Sequence, residues 1–134
     1  KRQQAINVAK ENAKLNEVVA DFEKSDLFEH VTERYDMIVS NPPYIKTEEI
    51  VKLMPEVSEF EPVQALDGKE DGLFFYRKII KECRDYLNPG GYVLFEIGYD
   101  QGEDVSEMMK YAGFLNVHVV KDLARNDRVV IGML

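Results

Sequence analysis

Along this chain, segments whose apolar residues recur every three to four positions alternate with short continuous apolar runs, and that contrast sets the elements it predicts. In "KRQQAINVAKENAKLN", Ile6, Ala9, Ala13 and, less strictly, Leu15 share one side of a helix, with Lys10, Glu11 and Lys14 on the other. "EVVADFEKSD" predicts a short strand ending near Lys24, and "LFEHVTER" a short helix or loop. "YDMIVS", residues 35–40, is a β-branched and apolar run between polar flanks. That is the pattern of a strand covered on both faces in a parallel sheet.

After "NPPY" comes "IKTEEIVKLMPEVSEFEPVQALDGKEDG", dense in Pro, Gly and acids. It is too long for a plain connector in a compact domain and reads as a functional loop. "LFFYRKIIKECRDYL" puts Tyr76, Ile79, Ile80, Cys83 and Leu87 on one helical face, and "NPGG" supplies the residues that stop a helix. "YVLFEIG" reads as a second covered strand, "EDVSEMMKYAG" as a helix closed by Gly113, and "FLNVHVVKDL" and "RVVIGML" as a terminal strand pair. Strands alternating with helices imply an α/β fold, with helices on both faces of a mostly parallel sheet. The last two strands are joined by too few residues for a crossover helix, so one of them runs antiparallel to the rest.

Composition narrows this picture. With 134 residues and 45% hydrophobic content, one domain spanning 1–134 is expected. Acidic residues outnumber basic ones by 25 to 17, a net charge of −8 spread along the chain, which repels phosphate backbones and argues against direct nucleic-acid binding. No run approaches membrane-spanning length and no signal segment is present, so a cytoplasmic protein is expected. One cysteine and two isolated histidines, His30 and His118, give neither a disulfide nor a metal site. The chain opens inside a helix, without an initiator methionine or a preceding strand, and reads as truncated.

The candidate chemistry lies in "NPPY", directly after the strand at 35–40, where open α/β sheets bind ligands. An Asn-Pro pair alone is as well explained by a turn. The tetrapeptide says more, because each residue suits the binding of a planar NH2 group. Asn41 offers a side-chain carbonyl for one N–H. Pro42 and Pro43 fix the backbone and donate nothing, which leaves the carbonyl between them for the second N–H. Tyr44 supplies a flat face for stacking. Two acceptors orient a poorly nucleophilic amide or amine nitrogen toward an activated methyl group, and orientation alone supplies much of the barrier reduction.

"YDMIVSNPPYI", preceded by "SDLF" and followed by "FEPVQALDGKEDGLFFYRKI", "LNPGGYVLFEIGYDQGEDV" and "DLARNDRVVIG", closely resembles the release-factor glutamine N5-methyltransferases, the HemK or PrmC family. "NPPY" is shared with adenine-N6 methyltransferases; the "EP..AL" segment from Glu61 to Leu66, the following "DG" and "YR", and the closing "DL...DR" single out the glutamine enzymes. The resemblance implies a Rossmann-like fold, S-adenosylmethionine as methyl donor, and the glutamine of the GGQ motif in class I peptide chain release factors as acceptor. It also implies that Asn41 and Pro42 hold the glutamine amide and that Pro43 and Tyr44 pack beside it. By the same resemblance Glu61 and Pro62 shape the substrate loop, and Asp26, Leu27 and Asn41 bind the cofactor, with Asp26 at its adenine. Members also carry a helical N-terminal domain, a first strand with a Gly-rich loop and a second strand ending in an acid, all missing here. The expected consequences are an inactive fragment, a strand at Val18 to Lys24 without neighbours, and self-association at an exposed sheet edge. Arg125 stands where the family usually has glycine.

Plainer readings stand beside these. Asp26 is equally the N-cap of a short helix, Glu96 a structural acid, and Cys83 a core residue. Asp127 and Arg128 suggest surface ion pairs that stabilise little. The acids Glu48, Glu49, Glu56, Glu59 and Glu61 face either a basic partner or solvent. The rival functions are an adenine-N6 methyltransferase, which needs a basic aromatic surface around "NPPY", and a non-catalytic binding module.

Overall fold

The computed structural model describes residues 2–53 and 62–134, which form two compact units divided between Thr32 and Glu33. In the first, helix α1 (Arg2–Leu15) half-buries Ile6, Ala9 and Ala13, the stripe its periodicity indicates. Leu15 falls off that stripe and is 80% exposed. Glu17 then turns left-handed at φ 55, and Val18 N–H reaches back to the Ala13 carbonyl at 2.9 Å, the bond that closes a helix end.

The expected strand ending near Lys24 does not form. The residues from Val18 to Lys24 run without strand pairing, and Val19 is fully exposed. A strand exists only through the neighbour that accepts its hydrogen bonds, and the described residues of this unit offer none. "LFEH" makes a turn, held by Ser25: its hydroxyl donates to the Leu27 carbonyl at 2.9 Å and accepts from His30 N–H at 3.0 Å.

In the second unit, strands β1 (Tyr35–Ser40), β2 (Leu87–Glu96), β3 (Leu115–Lys121) and β4 (Asp127–Met133) form one sheet in the order β1-β2-β4-β3. β1 runs parallel to β2, with Met37 opposite Tyr92 and Ser40 opposite Phe95. β4 is antiparallel to both of its neighbours, as the short β3–β4 connection requires. Helices α2 (Thr47–Leu53), α3 (Phe74–Glu82) and α4 (Gly102–Tyr111) complete the unit. Tyr76, Ile79 and Ile80 of α3 are buried, and so are Cys83 and Leu87 beyond it, which is the face read from the sequence. They join Val93 and Phe95 of β2, Ile97 just beyond it, and Val105 and Met109 of α4 in the core. Gly113, at φ 93, closes α4.

Three expectations change. β1 has the predicted bounds, but it is an edge strand whose Met37 and Val39 are 54% and 68% exposed. A β-branched run reports a preference for the pleated strand and says nothing about how many neighbours cover it. "NPGG" does not end the helix, which closes through a 3-10 turn at Cys83–Tyr86. It sits inside β2, where the pairing shifts between Tyr35–Leu87 and Met37–Tyr92 and Gly90 takes φ 81, so the turn-formers make a bulge. The stretch read as one long loop contains α2, whose Ile50 is buried.

The β3–β4 turn accommodates the departure at Arg125. Asp122 accepts from Asn126 N–H at 3.0 Å and from Arg128 Nε at 3.2 Å, and Arg125 sits between them at φ 65. A side chain there carries left-handed strain that glycine avoids. Arg125→Gly is expected to gain roughly 0.5–1 kcal/mol after the greater freedom of glycine in the unfolded chain is subtracted. Urea denaturation checks this, and a loss of stability would contradict it.

Candidate functional site

β1 delivers "NPPY" to the carboxyl end of the sheet. There Asn41, Pro42, Pro43 and Tyr44 line a cleft of about 290 Å³ together with Ile45, Ala65, Leu66 and Glu96. Asn41 is exposed, Pro42 is buried and Tyr44 is half-buried. The next residues are tied to the "LDGK" segment. Ile45 N–H donates to the Leu66 carbonyl at 3.0 Å, Gly68 N–H donates to the Ile45 carbonyl at 2.8 Å, and Thr47 N–H donates to the Lys69 carbonyl at 3.0 Å. This short parallel ladder is pinned by Asp67, whose Oδ1 accepts from the Thr47 hydroxyl at 2.6 Å and from Lys69 N–H at 2.9 Å. Those bonds, the Thr47 hydroxyl first, hold the Asp67 carboxyl below the usual aspartate range.

The two "DG" pairs bring backbone against backbone. A Cβ on Gly68 would lie 2.8 Å from Tyr44 Cα, and one on Gly72, at φ 75, would lie 2.5 Å from the Tyr44 carbonyl oxygen. Asp71, next to Gly72, forms a two-pronged pair with Arg77 at 2.6 and 3.2 Å, which lowers the Asp71 pKa. On the opposite wall, the buried Tyr76 hydroxyl donates to the Glu96 carbonyl at 2.6 Å. Burial is the main reason its phenol titrates well above the ordinary range.

One participant was absent from the sequence reading. Gln101 is only 7% exposed; its Oε1 accepts from Gly98 N–H at 2.9 Å, and its Nε2 donates to the Tyr44 and Gly72 carbonyls at 3.0 and 3.3 Å. It stands at the N-cap of α4 without capping the helix through its side chain. A polar residue at a cap position that favours Ser, Thr, Asp or Asn was the available signal.

The remaining candidates are dispersed. Glu61, with Glu56 and Glu59, lies outside the described residues. Pro62 is exposed and opens the 3-10 turn Val63–Ala65, its carbonyl accepting from Ala65 N–H at 2.8 Å. Asp26 and Leu27 lie in the turn of the first unit, Asp26 exposed and Leu27 at φ 51. No helix follows Asp26, so it caps none; Ser25 and the His30 ring, which lies 2.9 Å from the Lys24 carbonyl, make side-chain bonds of the turn. The Cys83 thiol is buried, its pKa pushed up to about 11 by burial, which suits a core residue and not a nucleophile. His118 Nδ1 is bonded to the Asn116 carbonyl at 2.7 Å. Arg128 pairs with Asp122, and Asp127 lies 4.0 Å from Lys121.

Residues 1–57 match a family model described as the methyltransferase small domain. The chain is 46% identical, over an alignment of 134 residues, to the release factor glutamine methyltransferase of Clostridium acetobutylicum, covering 96% of this chain and 47% of that protein. It is 44% identical over 133 residues to the protein of the same name from Thermodesulfovibrio yellowstonii, covering 98% and 48%. Over nearly its whole length the chain is similar to release factor glutamine methyltransferases. Its sheet and helices superpose on a methyltransferase crystal structure from Pyrococcus furiosus with a TM-score of 0.69 at 20% identity, over 98% of this chain and 58% of that one. The chain spans about half the length of the release factor glutamine methyltransferases it matches.

The tight approach of Gly72 to Tyr44 is directly testable. Gly72→Ala is expected to cost at least about 2 kcal/mol. Gly90→Ala, at a similar φ of 81 with nothing within 4 Å, should cost about half that. Equal losses in urea melts would show that the close approach is relaxed in solution. Because the Asp67 pKa is lowered in the fold, its bonds contribute above the ordinary aspartate pKa and are lost as pH falls through the folded value. Carboxyl NMR titration should show Asp67 titrating below an ordinary aspartate, and Thr47→Val should move it back up.

Proposed function

We propose that this chain carries the methyl-acceptor side of an enzyme that methylates the side-chain amide nitrogen (N5) of the glutamine in the GGQ motif of class I peptide chain release factors. The observation that carries this reading is the small cleft at the end of β1, lined by the four residues of "NPPY" together with Leu66 and Glu96. Its lining matches the demands of a primary amide. The Asn41 side-chain oxygen accepts one amide hydrogen and the Pro42 carbonyl accepts the other. Neither Pro42 nor Pro43 has an N–H that would compete for those acceptors. The Tyr44 ring covers one face of the planar group.

Held in this way, the amide nitrogen keeps one orientation relative to the donor, which is the main acceleration required of these residues. The nitrogen becomes acidic once alkylated, and its proton leaves through the open side of the cleft, so no strong base is needed at the outset. S-adenosylmethionine, when bound, supplies a methyl group on a positively charged sulfur. Of the residues assigned to it, the exposed carboxylate of Asp26 fits the adenine amino group as an acceptor, Leu27 lies beside it in the same turn, and Asn41 borders the acceptor. Glu61 and Pro62, in the same six-residue segment as the cleft residues Ala65 and Leu66, shape the approach of the protein substrate.

A protein acceptor in the cytoplasm suits the charges better than a nucleic acid does, since the residues beyond Tyr44 include the exposed Glu48 and Glu49 and the chain carries a net charge of −8. The outer edge of β1, with Met37 and Val39 exposed, is where copies of this chain self-associate.

Full-length protein incubated with S-adenosylmethionine and a class I release factor should add one methyl group to the GGQ peptide, read by mass spectrometry. Asn41→Ala should lower that rate by about 10²-fold or more. Unchanged methylation in the variant would sink the role of Asn41. A non-catalytic module would leave the release factor unmodified even with the unaltered protein.

A further inference from the structure

We infer that Gln101 is a positioning residue of the acceptor pocket, acting through Tyr44. The inference rests on the reading of "NPPY" as an amide-binding segment, and it assigns a role to a residue outside that motif.

The chemistry of the side chain decides the matter. A carboxamide offers one acceptor oxygen and two N–H donors, and all three are used here. The oxygen takes Gly98 N–H at 2.9 Å, and the nitrogen gives to the carbonyls of Tyr44 at 3.0 Å and Gly72 at 3.3 Å. The partners come from three separate pieces of chain: the segment after β1, the turn before α3 and the turn after β2. A glutamate would have no donor for the two carbonyls, and a leucine would leave both carbonyls and the Gly98 N–H without this partner. An asparagine is one methylene too short to span the same three groups.

Space is set aside for this amide. A Cβ on Gly72 would approach its Nε2 to 3.0 Å, and one on Gly98 would approach its Oε1 to 3.0 Å, so glycines flank it on two sides. Gln101 as a residue is 7% exposed, so water has little access to replace its bonds. Its grip falls on the carbonyl that follows a stretch with no donors of its own, because Pro42 and Pro43 lack N–H groups. Fixing the Tyr44 carbonyl fixes the Tyr44–Ile45 peptide plane and with it the Tyr44 Cα, which carries the ring on one side and, through the two stiff prolines, the Pro42 carbonyl and Asn41 on the other. Gln101 itself lies outside the lining of the amide cleft, so its effect on the reaction passes through Tyr44.

The test compares Gln101→Leu and Gln101→Glu with the unaltered full-length protein, well below the melting temperature of each. Both variants should lose about 10²-fold in kcat for the glutamine acceptor, as displacement of a positioning group by about 1 Å does, while the KM for S-adenosylmethionine changes less than about twofold. Gln101→Glu should recover relative to the unaltered protein as pH falls, because a protonated carboxyl regains a donor toward Tyr44; Gln101→Leu should show no such recovery. Unaltered kcat in both variants, or identical pH profiles, would overturn the proposal. A variant that fails to fold leaves the unaltered protein as the readout. Its Gln101 side-chain NH2 protons should exchange slowly and shift when a Gly-Gly-Gln peptide binds, and fast exchange would overturn the clamp. If the unaltered protein methylates no release factor, the proposed function fails, while the exchange rate of the Gln101 side-chain amide still decides the clamp.

Discussion

Two consecutive prolines at the rim of a cleft impose the constraint to which the rest of the second unit responds: across Pro42 and Pro43 the backbone donates nothing. Such a segment is stiff within itself yet has few points by which to be fastened. The fold fastens it at both ends. On one side β1 fixes Ser40 opposite Phe95 in the parallel pairing with β2. On the other side the Tyr44 carbonyl is gripped by Gln101, and Ile45 and Thr47 enter a short ladder with "LDGK". The glycines at 68 and 72 let two backbones approach closely enough for these bonds to form. The opposite wall is set by the same economy, since one buried tyrosine hydroxyl holds the carbonyl of Glu96.

Much of this was legible in the sequence where a local pattern and its tertiary setting agree. The bounds of β1, the buried face of α3, the closure of α4 by Gly113 and the antiparallel β4 follow from periodicity, glycine placement and connection length. The misses share a cause. Val18 to Lys24 has the composition of a strand and no pairing partner among the described residues, and "NPGG" has the composition of a stop and becomes a bulge because β2 resumes pairing beyond it. In both cases the residue types describe what the backbone tolerates, while pairing decides what it does. Coverage of β1 was overread for the same reason.

The candidate site was readable in its chemistry and not in its support. The task proposed for "NPPY" can be read from its residue types, because acceptors without competing donors suit an NH2 group. The supporting groups are a glutamine in "YDQGED" and glycines in two "DG" pairs, which in isolation read as turn residues. Only the fold places Tyr44, Gly72 and Gly98 around one carboxamide. Family resemblance carried the assignment from NH2 groups in general to glutamine, through the "EPVQAL" segment, part of which borders the cleft as Ala65 and Leu66.

The bond from Gln101 to Tyr44 joins residues 57 positions apart, and the one to Gly72 joins residues 29 apart. Contacts of such separation form only after much of the intervening chain is already organised. A chain emerging from the ribosome therefore presents "NPPY" long before the glutamine that locks it has been made. Until then the segment is a stiff but unanchored strip, and the pocket comes into being together with the turn after β2.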